Sequence, residues 1–225
     1  MQFASRCVAI IPCHNEAATI GAVVSAVRQH LTTVIVVDDG SSDETSRQAQ
    51  LAGAQVISLA PRQGKGMALK AGFKQALARG YERALMLDGD GQHAADDIPK
   101  FFQCAQMSNA ALIVGNRMPE AAQMPRVRRW VNRWMSRILS RMAGQHLPDS
   151  QCGFRLLDLK LWEMAQTSSR NFEYESEMLL TFARRGLAIQ FVPVRVIYRN
   201  ERSKISPVRD TWRWLRWVYR SYRTA

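Results

Sequence analysis

Two carboxylates directly follow a short aliphatic run in this chain. Residues 84–87 read ALML and pass straight into residues 88–93, DGDGQH. An aliphatic run of this length is typical of an inner strand of a parallel sheet, and open α/β sheets bind ligands beyond the carboxyl ends of such strands. Asp88 and Asp90 would repel each other there unless a cation or a donor lies between them. The segment therefore predicts a site for Mg²⁺ or Mn²⁺, with a solvated Asp-Gly turn as the plainer alternative.

Two earlier strand-like runs end in polar residues in the same way. Asp38 and Asp39 follow the run 34–37, and the segment PCHNE at 12–16 follows the run 7–11. Helical spacing comes after these runs and before the next, over residues 17–27, 43–52 and 66–78. Strands that alternate with helices predict βαβ units, and hence an α/β fold with a mostly parallel sheet.

Four motifs in chain order carry a resemblance to a known family. They are Pro12-x-x-Asn15-Glu16, VDDGSSD at 37–43, GKG at 64–66 and DGDGQH at 88–93. In this order they resemble family 2 glycosyltransferases of the GT-A fold, a single Rossmann-like domain. The branch that they resemble most contains the dolichol-phosphate and polyprenyl-phosphate mannosyltransferases. The likeness continues through GNR at 115–117, GFR at 153–155, FEYESE at 172–177 and RSK at 202–204.

The resemblance implies a nucleotide-sugar donor and assigns residues to it. The donor pocket is expected to include Pro12, His14, Glu16, Asp38, Asp39, Lys65, Asp88, Gly89, Arg117 and Lys204. Mg²⁺ or Mn²⁺ is expected on Asp88, Asp90 and Gln92, where it would neutralise the leaving nucleotide diphosphate. The expected catalytic residues are Asp90, Arg155 and Glu175. Two positions depart from the branch: His14 stands where Tyr is common, and Gly89 where Ala or another small residue is common.

The acceptor decides which group, if any, must act as a base. The resemblance places Arg155 against an acceptor phosphate, a role that suits its fork-shaped guanidinium. A hydroxyl acceptor needs a carboxylate to take its proton, whereas a lipid monophosphate arrives mostly dianionic and needs none. Glu173, Glu175 and Glu177 each fit a base, an acceptor-orienting residue or an acid at a helix start. The sequence leaves the choice among them open.

The chain carries a formal charge of +12, from 31 Lys and Arg against 19 Asp and Glu, and much of the excess lies in residues 126–141 and 195–223. A helical projection of the first segment predicts one apolar face, made of Val127, Trp130, Val131, Trp134, Ile138 and Met142. In the second segment a stripe of arginines recurs beside many aromatic residues, at Arg209, Arg213, Arg216, Arg220 and Arg223. Basic residues beside Trp are typical of helices in a membrane interface, although ordinary amphipathic helices would pack this face on the core. The favoured partner is an anionic membrane surface rather than nucleic acid, whose phosphates the paired acids would repel.

Length and composition favour one domain. Residues 1–206 are expected to form the GT-A domain, with a donor part near 1–118 and an acceptor part near 119–206. Residues 207–225 are expected to form a basic aromatic helix, either part of this domain or interfacial. The sequence contains no run of about eighteen apolar residues and no export signal, so a cytoplasmic protein on the inner face of the cell membrane is expected.

The expected reaction is a metal-dependent, inverting transfer of a sugar from a nucleotide-sugar to a polyprenyl phosphate or a similar lipid. One alternative is a transferase of the same fold that acts on another lipid, a glycan or a secondary-metabolite hydroxyl. A nucleotidyltransferase or a non-catalytic binder of nucleotide-sugars is a more remote alternative.

Overall fold

A mostly parallel sheet forms the centre of the molecule. The structure is a computed structural model, and it describes residues 2–197 and 207–223. Seven strands in these residues form one sheet: β1 (Cys7–Cys13), β2 (Val34–Asp38), β3 (Gln55–Ser58), β4 (Arg83–Met86), β5 (Leu112–Asn116), β6 (Arg155–Asp158) and β7 (Ile189–Pro193). Their order is β3-β2-β1-β4-β6-β5-β7, and β6 runs antiparallel to both of its neighbours. The predicted α/β fold with a mostly parallel sheet is confirmed.

The chain reverses its direction of travel across the sheet at β1. β1, β2 and β3 follow one another towards one edge, and β4 returns to the other side of β1. Such a switch point leaves a crevice at the carboxyl ends of the strands. The segments after β1, β2 and β4 therefore meet at one edge of the sheet. The segment before β6 meets them there, because β6 runs in the opposite direction to β4.

Helices pack on the sheet and connect its strands. Within the described residues they are α1 (Gln2–Ser5), α2 (Ile20–Arg28), α3 (Thr45–Leu51), α4 (Lys65–Ala78), α5 (Ile98–Met107), α6 (Arg126–Ala143), α7 (Leu159–Ala165), α8 (Glu173–Arg184) and α9 (Pro207–Arg223). All residues of β1 and β2 are buried, as expected of inner strands covered by helices. α2 begins three residues after the predicted start. The intervening turn lets Thr19 donate its hydroxyl to the carbonyl oxygen of Gly89 at 2.7 Å.

The predicted apolar face of α6 packs on the core only in part. Its members Val131, Trp134, Ile138 and Met142 are half-buried against the core, but the helix turns further, towards polar residues. Its buried residues are Asn132, Met135, Ser136 and Leu139. By contrast, Val127 is 76% exposed and Trp130 is 67% exposed. The polar pair turns inwards because it has buried partners: Asn132 donates to Asp149 at 2.9 Å, and the hydroxyls of Ser136 and Ser150 lie 3.1 Å apart. A projection that counts apolar residues alone does not detect a polar core face.

The C-terminal helix α9 is anchored by Trp214. This side chain is buried, and its indole N–H donates to the hydroxyl of Ser176 on α8 at 2.9 Å. Its ring lies 5.7 Å from the ring of Trp134 on α6. Other aromatic residues of α9 face outwards, namely Trp212, Tyr219 and Tyr222. No helix in residues 2–197 and 207–223 is both long and apolar enough to cross a membrane.

Candidate active site

A cleft of about 930 Å³ opens where the strand ends converge. Eleven of the residues expected at the site line it: Pro12, His14, Glu16, Lys65, Asp39, Asp88, Gly89, Asp90, Gln92, Arg117 and Glu175. Asp38 and Arg155 are not among its lining residues, and Lys204 lies outside the residues that the structure describes. The sequence motifs thus come together in one place, although they span most of the chain.

The loops after β1 and β2 are locked together by side chains of two motifs. Asn15 accepts from the backbone N–H of Ser42 at 2.8 Å, and its own N–H donates to the hydroxyl of Ser41 at 2.9 Å. Asn15 adopts a left-handed conformation with φ 54°, which Asn tolerates better than most residues. The hydroxyl of Thr45 accepts from the N–H of Glu16 at 2.7 Å. These bonds fix the backbone that presents His14 and Glu16 to the cleft.

Asp39 organises the wall of the cleft beside these loops. Its carboxylate accepts from the backbone N–H groups of Gln63 at 2.7 Å and Gly64 at 2.9 Å, and its carbonyl oxygen lies 3.0 Å from Nδ1 of His14. Asp38 was expected at the donor, but it is not among the residues that line the cleft. Its carboxylate instead bonds the loop after β2 and the first turn of α3. There it accepts from the N–H of Ser41 at 2.9 Å and from the hydroxyl of Ser46.

Lys65 bridges two acids of the cleft. Its ammonium lies 2.6 Å from Oδ1 of Asp88 and 2.9 Å from Oε1 of Glu175. Burial by itself favours the neutral lysine, but the two carboxylates outweigh burial and hold the pKa of Lys65 above its ordinary value. Burial likewise opposes ionisation of Asp88, and the charge of Lys65 overcomes it, so that the pKa of Asp88 lies well below its usual range. Both groups are therefore charged at neutral pH.

Asp90 is in a different electrostatic position from Asp88. Burial and the neighbouring charge of Asp88 raise the pKa of Asp90 above its ordinary value. One of its oxygens accepts from the backbone N–H of Gln92 at 3.0 Å. His93, which follows in the same motif, has its Nε2 3.6 Å from Asp88 and packs its ring 5.2 Å from Phe154. The charge of Asp88 is thus balanced by Lys65, whereas burial and the charge of Asp88 both disfavour the ionised form of Asp90.

Two glycines allow the backbone to approach the acids closely. A Cβ on Gly89 would lie 2.5 Å from the sulfur of Cys13, so any larger residue at this motif position would clash with Cys13 unless one of the two shifted. A Cβ on Gly153 would lie 2.8 Å from Asp88 and 3.0 Å from Glu175. The segment before β6 therefore lies directly against both carboxylates.

The structure distinguishes the three glutamates at the start of α8. Glu175 is buried, lines the cleft and pairs with Lys65. Glu177 instead holds the preceding loop, since it accepts from the N–H groups of Ser168 and Ser169 at 2.7 to 3.1 Å. Glu173 is half-buried and is not among the lining residues. Glu175 is thus the glutamate of this segment that the cleft contains.

Arg117 reaches the cleft with its guanidinium held by a buried acid. Nε and Nη2 donate to the two oxygens of Asp149 at 2.7 and 2.8 Å, and the N–H of Arg117 adds a third bond at 3.0 Å. Asp149 is fully buried. Burial disfavours its charged form, but the charge of Arg117 keeps the pKa of Asp149 below its ordinary value. The orientation of Arg117 is therefore fixed before any ligand binds.

The expected exposure of Arg155 to an acceptor phosphate is wrong. Its side chain is fully buried. Its three nitrogens donate to the backbone carbonyl oxygens of Cys152 at 2.8 Å, Ser150 at 2.9 Å and Glu175 at 2.6 Å. An arginine satisfied in this way ties the segment before β6 to α8. The motif GFR therefore supplies a structural support behind the cleft.

Several cleft residues were not assigned to the site from the sequence, among them Arg128 on α6 and Arg213 on α9. Arg128 lies 3.5 Å from the amide oxygen of Gln92. Neither arginine belongs to one of the ordered motifs, and each lies in a helix with several other arginines. Only the packing of these helices against α8 and against each other identifies which arginines line the cleft.

Comparison with known proteins decides the family. The family model described as "Glycosyl transferase family 2" matches residues 8–163, which contain the strand-end motifs. The chain belongs to glycosyl transferase family 2. One relative of this family 2 glycosyltransferase is a UDP-N-acetylglucosamine–dolichyl-phosphate N-acetylglucosaminyltransferase of Methanococcus voltae, 32% identical over 84% of this chain and 84% of the relative. Another is an undecaprenyl-phosphate mannosyltransferase of Micrococcus luteus, 28% identical over 87% and 85% of the two chains.

Solved structures share the fold of this family 2 glycosyltransferase. Glucosyl-3-phosphoglycerate synthase from Mycobacterium tuberculosis, crystallised with Mn²⁺, UDP and phosphoglyceric acid, has a TM-score of 0.74 at 20% identity, covering 96% of this chain and 76% of that one. The same enzyme crystallised with Mg²⁺ and UDP also has a TM-score of 0.74, at 22% identity, and covers 98% and 81%. The expected GT-A fold is confirmed.

The donor set of this family 2 glycosyltransferase fits a hard divalent cation. Asp88, Asp90 and Gln92 offer oxygen atoms at one strand end. In residues 2–197 and 207–223 no group of three or more His, Cys, Asp or Glu side chains converges to hold a metal by itself. Mg²⁺ is ordinarily held by one or two carboxylates together with substrate phosphates, so a cation completed by a diphosphate suits this pair.

Proposed function

We propose that this family 2 glycosyltransferase moves a sugar from a nucleoside-diphosphate sugar to a polyprenyl phosphate, with inversion at the anomeric carbon. The observation that carries the proposal is the cleft itself. Lys65 pairs there with Asp88 and Glu175, and Asp90 lies beside them at the switch point of the sheet. A nucleoside diphosphate carries the negative charge that such a site binds through a cation and an ammonium.

The donor side follows from the loops after β1 and β2. His14, Glu16 and Asp39 line the cleft there, and we assign the nucleoside to them. Asp88, Asp90 and Gln92 would hold Mg²⁺ or Mn²⁺, which when bound neutralises charge that develops on the leaving diphosphate. Arg117, fixed by Asp149, lies at the same cleft with its charge already oriented. We assign it to the donor phosphates as well.

The chain's own residues position the reactants rather than exchange protons with them. Glu175 and Asp88 hold Lys65 from two sides, which fixes its ammonium in the cleft. A lipid monophosphate is mostly dianionic at neutral pH and needs no general base. Its oxygen attacks the anomeric carbon opposite the leaving diphosphate, and the carbon–oxygen bond to the diphosphate breaks. An α-linked donor then gives a β-linked lipid-phosphate sugar.

The choice of a lipid acceptor rests on relatives and on the outer helices. Relatives named for dolichyl phosphate, undecaprenyl phosphate and polyprenol phosphate match more than four-fifths of this chain. Trp130 and Val127 on α6 are exposed beside Arg126, Arg129 and Arg133, which line a separate shallow groove with them. We propose that α6 and α9 lie on the anionic cytoplasmic face of the cell membrane, where the acceptor phosphate is found.

Transfer assays with the purified chain test the reaction. GDP-, UDP- and dTDP-sugars are first screened with Mn²⁺ by thermal shift, because a ligand that binds the folded state raises its stability. Each donor that binds is then incubated with an isoprenyl phosphate, and the product is identified by mass spectrometry. A sugar-phosphate lipid that forms only with metal supports the proposal. Transfer to soluble hydroxyl acceptors instead would favour the alternative glycosyltransferase, and cleavage of donor without any acceptor product would contradict both.

A further inference from the structure

We propose that Arg213, on the C-terminal helix, binds the phosphate of the acceptor and so makes α9 a wall of the active site. The inference rests on the proposed function and names a residue for its acceptor side. Arg213 is exposed, as are Arg216, Arg220 and Arg223 of the same helix, but of these four only Arg213 lines the cleft. The stripe of arginines is therefore divided between two surfaces.

The position of Arg213 is fixed by its neighbour in the chain. Trp214 is buried and donates to the hydroxyl of Ser176, the residue that directly follows Glu175. Gln151, which lines the cleft, donates to the same hydroxyl at 3.3 Å. Arg213 thus directly precedes Trp214, whose side chain shares the hydroxyl of Ser176 with the cleft residue Gln151.

The contacts of α9 bring Arg213 to the cleft beside α6 and α8, and not from the loops after β1 and β2. Donor loops follow β1 and β2, the acids follow β4, and the segments that continue the cleft belong to β6 and β5. α6, which follows β5, brings Arg128 to Gln92, and the contact between Trp134 and Trp214 sets α9 beside α6. Arg128 therefore reaches the cleft beside Gln92, and α9 brings Arg213 to the same cleft from its position next to α6.

Charge also favours an anion at this place. The cleft gathers several cationic side chains, namely Arg62, Lys65, Arg117, Arg128 and Arg213. Arg128 contacts a neutral amide oxygen. A dianionic phosphate needs more than one strong donor to be held without water, and guanidinium groups meet it bidentately. Arg213 supplies the further positive charge from the second helix.

The test compares Arg213→Gln with the parent on a water-soluble, short-chain isoprenyl monophosphate, without vesicles. Loss of one charged hydrogen-bonding contact is expected to raise the acceptor KM by about tenfold to a hundredfold. The donor KM and the thermal shift produced by nucleoside diphosphate with Mn²⁺ are expected to stay unchanged. Arg213→Lys should recover part of the loss. The matched control is Arg141→Gln, which removes an exposed arginine of α6 that does not line the cleft.

Each other outcome overturns the inference in a distinguishable way. A donor KM that rises in place of the acceptor KM assigns Arg213 to the donor phosphates. An acceptor KM that is unchanged on the soluble substrate, with a loss seen only on vesicles, assigns Arg213 to membrane docking. If the parent itself transfers no sugar to an isoprenyl phosphate, the proposed function fails and the inference fails with it. Parent activity therefore separates the two failures.

Discussion

Arg155 donates from Nη1 to the backbone carbonyl oxygen of Glu175 at 2.6 Å, so a fully buried guanidinium supports the glutamate that faces the cleft. Two further bonds, to the carbonyl oxygens of Ser150 and Cys152, tie the segment before β6 to the same group. The bonds to Arg155 thus hold the main chain that carries Glu175 and the segment before β6, and Gly153 brings that segment close to Asp88.

Arg155→Lys is expected to destabilise the fold. Lysine keeps the charge but cannot reach three carbonyl oxygens in a fan, so at least one buried acceptor loses its partner. The expected loss in the free energy of unfolding is about 2 to 4 kcal/mol, measured by urea denaturation. Arg47→Lys, at an exposed position, is the control and should leave stability unchanged. Unchanged stability with a raised acceptor KM would restore the expectation that Arg155 meets the acceptor.

The strand ends could be predicted because they combine two local signals. An aliphatic run gives the strand, and the polar motif after it gives the edge of the sheet at which ligands bind. Asp88, Asp90 and Asp39 line the cleft for this reason. Such a strand can be predicted from its own residues without knowledge of its neighbours, because an inner parallel strand is buried on both faces and is apolar throughout.

The roles of the arginines could not be read in this way. Arg155, Arg117 and Arg213 have the same chemistry in the sequence, yet one is buried against carbonyl oxygens, one pairs with Asp149 and one lines the cleft from α9. Their roles depend on partners that are distant in the sequence. The polar part of the core face of α6 was missed for the same reason, since Asn132 is buried where Asp149 accepts its hydrogen bond.

Asp90→Ala is expected to abolish metal-dependent turnover and leave the fold intact, because Asp90 lies at a strand end and not in the core. The rate should fall by about a hundredfold or more, since several kcal/mol of charge stabilisation depends on the cation. The measurement is donor turnover with Mn²⁺ and in excess EDTA, together with the thermal unfolding midpoint. Asp96→Asn, which changes an exposed carboxylate nearby, is the matched control. Turnover by the parent that persists in EDTA would contradict the metal assignment.

Asp149→Asn is expected to cost about 3 to 5 kcal/mol of stability, because it leaves the charge of the buried Arg117 unpaired. The folded protein holds the pKa of Asp149 below its ordinary value, so the stabilising contribution is complete above the pKa of the unfolded chain and is lost as pH falls through the folded pKa. Unfolding of parent and variant is therefore compared at neutral pH and at decreasing pH below about 4. The difference between them should shrink as the solution becomes more acid. A difference that stays constant would show that the charge of Asp149 does not stabilise the fold.

Docking of the outer helices on a membrane is expected to depend on charge. Arg216 and Arg220 are exposed on α9, so the double change to Gln should weaken binding to anionic vesicles by about 2 kcal/mol, or roughly thirtyfold, in co-sedimentation at low salt. Added salt should weaken vesicle binding by the parent in the same way, because the Debye length falls to about 10 Å at 0.1 M.

The charge-matched control changes Arg47 and Arg79, which are exposed on other parts of the chain. If the control loses as much binding as the test variant, net charge and not this surface attracts the vesicles. If the parent does not bind anionic vesicles at low salt, the exposed aromatic residues of α6 and α9 serve another partner.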